Sequence, residues 1–320
     1  MSTTKNIEAI ESQVLFELAE YDPEASERTG YSNYSYWGST LRVFMKNKVA
    51  VVCLLTLVVL LTFTLFQPYL PEQKDPNKIH VDPTTKIQLR NEKPGSDFIF
   101  GTNSIGQDLW ARIWSGTRTS LLIGILVATW DVIIGITVGA IWGYVRRLDR
   151  LITEIYNVLA NIPTTIVMTL LAYMMRPSVS TMVIAMCATG WLGMARFIRN
   201  QVVIIRDREY NLASRCLGTP TNRIITKNVL PYLVSVIMLR FALAVPGAIG
   251  WEVFLTYIGL GLPLSTPSLG NLVNEGRQLM MVPSLRYQLI YPSVILSVIT
   301  ISFYIIGNAF SDAADPRNHV

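Results

Sequence analysis

Residues 49–66 read VAVVCLLTLVVLLTFTLF, eighteen consecutive residues without a charge. The hydrocarbon core of a bilayer is about 30 Å thick, and roughly 20 apolar helical residues are needed to cross it. The stretch therefore predicts a membrane-spanning helix. The whole chain agrees with this prediction, because 51% of its 320 residues are hydrophobic and only 15% are charged, and its mean hydropathy is +0.37. These values argue against a water-soluble globular domain.

Further apolar stretches of spanning length follow the first one. They are residues 120–145, 155–175, 178–195, 232–260 and 287–311. The sequence thus predicts an all-α integral membrane protein with six spans. Pro163 and Pro246 fall inside the third and fifth spans and are expected to kink or break them, because proline lacks the backbone N–H.

The distribution of arginine predicts the orientation of the spans, since short loops rich in Lys and Arg stay in the cytoplasm. Residues 146–150 and 196–231 are the arginine-rich connections. Their placement puts both termini in the cytoplasm, including the tails at residues 1–35 and 312–320. The connection at residues 67–119 is then extracellular, and the amphipathic pattern of residues 36–48 predicts a helix lying in the membrane interface.

The residue types that would support catalysis or metal binding are scarce. The three cysteines, Cys53, Cys187 and Cys216, are far apart, and the chain has just two histidines. The sequence contains no GxxxxGK[ST], HExxH or GxSxG motif, so we predict no catalytic residue, no metal site and no ATP bound by this chain. The net charge of +5 is too small and scattered to indicate nucleic-acid binding.

Two sets of residues inside the spans are candidates for packing or transport. Gly135, Gly139 and Gly143 recur every four residues and predict a smooth helix face for close packing, with a partner helix from this chain or from a second subunit. The charged residues within the spans are Asp131, Arg240 and Glu252. They either line a polar translocation pathway or pair structurally between helices.

Residues 206–231 predict a folded element between the fourth and fifth spans. Residues 207–217 favour a short helix that ends at Gly218, and Thr219 and Pro220 start a second one that runs to Pro231. The small residues Ala213 and Ser214 permit another surface to approach closely. The pattern therefore predicts a docking element.

Residues 209–231, EYNLASRCLGTPTNRIITKNVLP, resemble the EAA loop of permease subunits from binding-protein-dependent ABC importers. The matching positions are Ala213, Ser214, Gly218, Leu230 and Pro231, with Glu209 and Tyr210 placed as in peptide permeases. Three more stretches are similar to the C-type subunit of oligopeptide and dipeptide importers. They are FGTNSIGQDLWARIWSGTRTSL (residues 100–121), WEVFLTYIGLGLPLSTPSLGNLV (251–273) and DAADPR (312–317).

This resemblance implies a type I ABC importer permease in the bacterial cytoplasmic membrane. Its expected partners are a homologous B-type permease, two cytoplasmic ATPases that use ATP and Mg²⁺, and an extracellular peptide-binding protein. The resemblance assigns ATPase coupling to Ala213, Ser214 and Gly218, with Arg215 as a neighbouring contact. Dipeptide or nickel as cargo, and an ion-coupled secondary transporter, are the alternatives.

Overall fold

A computed structural model describes residues 36–315 of the protein. The predicted tail at residues 1–35 and the last five residues of the predicted C-terminal tail lie outside the described residues. Of the described residues, those from 40 to 315 belong to one compact unit.

The described residues are helical, apart from turns and isolated β-bridges. The helices are α1 (Tyr36–Lys46), α2 (Lys48–Phe66), α3 (Leu109–Tyr144), α4 (Arg146–Ala160), α5 (Thr164–Met174), α6 (Val179–Arg206), α7 (Glu209–Cys216), α8 (Thr221–Ile224), α9 (Val234–Tyr257), α10 (Leu269–Gln278) and α11 (Tyr287–Ala314). A π-helical turn, Ile225–Val229, and a 3-10 turn, Pro231–Leu233, join α8 to α9.

Five helical segments are long and apolar enough to cross a membrane, and α4 and α5 reach that length and apolar character only as a pair, across a bend of 69°. Pro163 directly precedes α5, a position where its missing N–H breaks no helical hydrogen bond, and it disfavours helical backbone at the residue before it. The predicted break of the third span therefore lies at residues 161–163. The all-α membrane fold is confirmed, with five single-helix spans, and the segment predicted as the third span is divided into α4 and α5.

Two spans extend beyond their predicted bounds. Helix α3 begins eleven residues before residue 120, because Asp108 caps it by accepting a hydrogen bond from the Ala111 N–H at 3.1 Å. Its first turns carry Arg112 and Arg118, and both side chains find hydrogen-bond acceptors within the protein. Helix α6 continues to Arg206, past the predicted end at residue 195. Both predicted spans are too short, because their bounds were placed where charged residues begin.

Pro246 does not break the fifth span, since α9 is continuous through it. A proline removes one hydrogen bond from a helix, and tertiary packing can hold the rest of the helix in place. Val245 and Ile249 on either side are fully buried in the core that α9 forms with α3 and α11. Of the two outcomes expected at Pro246, a kink or a break, the break does not occur.

The two ends of the bundle differ in structure. At the end that we call the loop end, residues 206–231 connect α6 to α9. At the opposite end, residues 67–108 form an irregular segment with three isolated β-bridges, and α10 packs against α3, α9 and α11. The first short helix, α1, is followed by Asn47, whose side chain caps α2.

Candidate functional site

The connection at residues 206–231 folds as the predicted helix, turn and helix. Helix α7 ends at Cys216, and Gly218 adopts a φ of +75°, in the left-handed region that favours glycine. The Gly218 N–H donates to the Arg215 carbonyl at 2.9 Å, and the Thr219 N–H donates to the Ser214 carbonyl at 3.0 Å. These bonds satisfy carbonyls at the end of α7 and turn the chain toward α8.

Two asparagines that the sequence did not single out attach α7 to its neighbours. The fully buried Asn211 donates from Nδ2 to the carbonyl of Ile205 in α6 at 2.9 Å. Asn228 donates from Nδ2 to Asn211 Oδ1 at 3.2 Å and to Ser214 Oγ at 3.3 Å. Since an asparagine is unfavourable within a helix without such a partner, its presence in this short helix was the available signal.

A second attachment is built around Asp207, at the end of α6. Its carboxylate accepts hydrogen bonds from Arg146 at 2.9 Å and from Arg206 at 3.3 Å. Arg206 also donates to the carbonyl of Gly143 in α3 at 2.7 Å. Slight burial opposes ionisation of Asp207, but the hydrogen bonds and charges of the two arginines outweigh it and hold its pKa below the ordinary value.

Arg215 faces inward rather than toward solvent alone. Its Nε donates to the hydroxyl of Tyr144 at 3.0 Å, and its guanidinium lies 4.9 Å from the centre of that ring. The contact joins α7 to the last residue of α3. The resemblance assigned Arg215 to a neighbouring ATPase, and in the structure this side chain is engaged within its own chain.

The outer surface of α7 carries apolar side chains. Tyr210 and Leu212 are exposed, and Leu217 is exposed over 86% of its surface. Glu209 and Ala213 are exposed on the same short helix. An isolated exposed leucine is ordinary, but an eight-residue helix and its cap here expose three large side chains at the loop end.

The last two predicted loop residues lie where the loop joins α9. Leu230 is partly buried against the apolar core beneath the loop, which includes Val202 and Val229. Pro231 is exposed and begins the 3-10 turn. The two residues thus fix the direction in which α9 enters the bundle.

The glycine face of α3 packs against α6 of the same chain. A Cβ added to Gly139 would come within 2.8 Å of Ile198 Cβ, and one added to Gly143 would come within 2.8 Å of Val202 Cβ. At Gly135 it would overlap Met194. Real Cβ atoms do not approach so closely, so the close approach of α3 and α6 requires glycine at these positions.

The three charged residues of the spans occupy different environments. Glu252 is fully buried and accepts hydrogen bonds from Ser268 Oγ at 2.7 Å and Ser120 Oγ at 2.9 Å. It therefore connects α9 to α3 and to the start of α10. Arg240 is exposed and lies over the ring of Phe197, 4.3 Å from its centre.

Asp131 lies at the wall of a cavity of about 430 Å³ between α3, the α4–α5 break, α6 and α9. An adjoining cavity of about 250 Å³ is lined by both Asp131 and Arg240. Glu252 lines neither of them. The geometry thus brings Asp131 and Arg240 to a common space and places Glu252 in a separate hydrogen-bond network.

A bundle of apolar spans around a cavity that carries one carboxylate, with a folded connection at one end, is typical of the membrane subunit of a transport assembly. Residues 135–320 match the model of the binding-protein-dependent transport system inner membrane component. Residues 35–94 match the N-terminal TM domain of oligopeptide transport permease C. The chain belongs to the family of binding-protein-dependent transport system inner membrane components.

Curated relatives cover almost the whole chain. The oligopeptide transport system permease protein AmiD of Streptococcus pneumoniae is 38% identical over 95% of this chain and 97% of its own length. OppC of Bacillus subtilis, an oligopeptide transport system permease protein, is 32% identical over the same shares. DppC of Bacillus subtilis, a dipeptide transport system permease protein, is 35% identical over 88% of this chain and 86% of its own length.

These matches confirm the resemblance stated from the sequence. The chain is a multi-pass membrane subunit of a bacterial ABC transporter, and it is a permease rather than an enzyme. Permeases of this family work with ATPase subunits and further permease subunits.

Proposed function

We propose that this chain forms half of the membrane pathway of an ATP-driven oligopeptide importer. A homologous B-type permease supplies the other half, two ATPases hydrolyse ATP with Mg²⁺ at the loop end, and an extracellular binding protein delivers the peptide. The names of the relatives AmiD and OppC support oligopeptide as the cargo. The arginine-rich loop end is then cytoplasmic, as are both termini.

The coupling role is supported by the exposed apolar side chains of α7, on a helix whose opposite side is bonded to α6 and α3. Leu217 is free to enter a groove of an ATPase, while Asn211 and Arg215 hold α7 to α6 and α3. A displacement of α7 is therefore transmitted to two spanning helices. Glu209, Ala213, Ser214 and Gly218 belong to this coupling element, and Leu230 and Pro231 pass its movement to α9.

Transport then proceeds by alternating access. Closure of the ATPases moves the coupling elements of both permeases, and the bundles rearrange as packed bodies between inward-open and outward-open states. Asp131 and Arg240 border the pathway between the two bundles in this proposal. The role of Glu252 is to hold α10 in place.

Replacing Leu217 tests the coupling role, because its exposed side chain is not needed for the fold of this chain. In the complete importer in proteoliposomes, Leu217→Asp should abolish peptide uptake, while Leu217→Met, which keeps the surface apolar, should retain it. Gly218→Asp should likewise separate ATP hydrolysis from uptake and leave membrane insertion intact. Normal uptake by Leu217→Asp and Gly218→Asp would refute the assignment.

Cys216 offers a direct test of orientation, because it is the exposed one of the three cysteines. A membrane-impermeant maleimide should label it in inside-out vesicles and not in intact cells. The Cys216→Ser variant gives the background from the other two thiols. Labelling of Cys216 in intact cells would show that the loop end is extracellular and would refute the proposed orientation.

Dipeptide is the second candidate cargo, because DppC of Bacillus subtilis is 35% identical to this chain. Competition for uptake by peptides of two to eight residues distinguishes the two. Oligopeptide transport predicts that peptides longer than two residues compete best.

A further inference from the structure

The larger cavity has the size and walls of a small-molecule site. Its volume of about 430 Å³ falls within the roughly 300–1,000 Å³ typical of ligand pockets. The wall is mainly apolar and includes Met168, Met186 and the ring of Trp251, with Tyr156 at one side. Ile162 at the α4–α5 break also lines it, so the bend of the third span opens part of this space.

Two polar side chains at this cavity lack partners. Within the part of the chain that the structure describes, Asp131 Oδ1 and Thr189 Oγ1 are buried and have no hydrogen-bond partner. The Asp131 carboxylate rests against Gly190, where an added Cβ would overlap both of its oxygens. The carboxylate therefore fits at this position because Gly190 has no side chain. An unpaired carboxylate within a spanning helix costs a few kcal/mol or more, and a bound cation would remove this cost.

The nearby fixed cations of the chain are held elsewhere. Arg240, which borders the adjoining cavity, lies over Phe197, and the Arg196 guanidinium lies 5.3 Å from the centre of the Tyr156 ring. Among the ion pairs of residues 36–315, none includes Asp131. The carboxylate is thus available to a mobile cation, and aromatic rings such as that of Trp251 favour a cationic guest.

We propose that this cavity binds a protonated amine of the cargo, with Asp131 as its counter-ion and Thr189 as a second acceptor. The inference rests on the proposed function, because a peptide carries such an ammonium group at its N-terminus or on a lysine side chain. The carboxylate and the hydroxyl supply acceptors for an ammonium group, and the apolar wall accommodates the adjoining side chains.

Uptake of matched peptides by the complete importer in proteoliposomes tests the proposal. The cargoes are an uncharged-side-chain peptide with a free N-terminus, the same peptide N-acetylated, and an N-acetylated version with one lysine. Each rate for Asp131→Asn is divided by the wild-type rate for the same cargo, so that the preference of the binding protein cancels. Asp131→Glu is the charge-conserving control.

A hydrogen bond to a charged group is strong enough that its loss predicts an effect of about tenfold or more. Asp131→Asn should reduce uptake of the free-amine peptide about tenfold more than uptake of the acetylated peptide, and Asp131→Glu should recover much of the difference. If the acetylated lysine peptide behaves like the free-amine peptide, the site accepts any ammonium group. If it behaves like the acetylated peptide without lysine, the site recognises the N-terminal ammonium group specifically. Both results support a site for protonated amines.

Equal reduction for all three cargoes, or no reduction, would overturn the proposal. Loss of the assembled complex in Asp131→Asn would also overturn it, because Asp131 would then be pairing with the other permease. Gly190→Ala provides a second variant, since its Cβ displaces the carboxylate without removing the charge, and it should show the same selective loss. Failure of wild-type importer to take up any peptide would instead refute the proposed function.

Discussion

Among Asp131, Arg240 and Glu252, removal of the Glu252 carboxyl group is expected to destabilise the bundle most. Glu252 in α9 accepts hydroxyl hydrogen bonds from Ser120 in α3 and from Ser268, which precedes α10. Both hydroxyl oxygens accept backbone N–H groups at the start of α10, from Leu269 and Asn271 at 3.0 and 3.1 Å. The hydroxyl hydrogens are therefore committed to the carboxylate, and three helices share one buried acceptor.

The expected loss of stability follows from the two hydrogen bonds that the Glu252 carboxylate accepts. A hydrogen bond to a charged acceptor contributes about 1.5–3 kcal/mol, so Glu252→Ala should cost roughly 3–6 kcal/mol, with a cavity where the side chain was. Glu252→Gln keeps the shape and one acceptor oxygen and should cost about half as much. Since one kcal/mol shifts the melting temperature by roughly 2–4 °C in chains of 150–250 residues, the alanine variant should melt on the order of 10 °C lower.

Thermal unfolding of the purified complex in detergent, followed by loss of the monodisperse chromatographic peak, measures this shift. Glu154→Ala is the matched control, because Glu154 is exposed on α4 and should change the melting temperature by no more than about 2 °C. A double-mutant cycle of Ser120→Ala with Glu252→Ala isolates the contribution of one bond. If Glu252→Ala melts within about 2 °C of wild type, the network is not the anchor of α10 and the reasoning fails.

Three further changes test other parts of the structure. Gly139→Ala should separate α3 from α6 and cost about 1–3 kcal/mol, whereas Gly193→Ala, which meets open space, should leave the melting temperature unchanged or raise it. Because the arginines hold the pKa of Asp207 below its ordinary value of about 3.9, its contribution to the order of the loop is present above that value and is lost as pH falls below about 4. A nitroxide on α7 should therefore become mobile only below about pH 4, and in Asp207→Asn it should be mobile at every pH. Tyr144→Phe keeps the ring beside Arg215 but removes its hydrogen bond, and it should lower peptide uptake per ATP hydrolysed several-fold; an unchanged ratio would show that the Arg215–Tyr144 contact does not transmit movement.

Hydropathy predicted most of the fold because each span had to bury its own backbone in lipid. Hydropathy failed to predict the helix bounds where charged side chains in a helix are buried against other residues. Arg112 is completely buried and donates to Gln107 and Glu275, so α3 extends eleven residues farther than the uncharged stretch. No local pattern indicates a partner that lies more than 160 positions away.

The candidate site was predictable in part for the same reason. The turn at Gly218 followed from residue type, because a helix end that needs a positive φ selects glycine. The attachments of α7 through Asn211 and Arg215 depend on tertiary contacts with Ile205 and Tyr144, which sequence spacing does not specify. Likewise, the spacing of the α3 glycines predicted a packing face without identifying its partner.

The glycine contact between α3 and α6 determines which walls of the cavity are able to separate. Because Gly135, Gly139 and Gly143 let the two backbones pack closely, we expect α3 and α6 to move as one body and Asp131 and Thr189 to keep their spacing during transport. Widening of the chamber then falls to the broken span and to α9, whose fold continues directly from the loop end. During transport the bound cargo would thus lie between a stationary wall, formed by α3 and α6 and carrying Asp131, and a moving wall, formed by the broken span and α9.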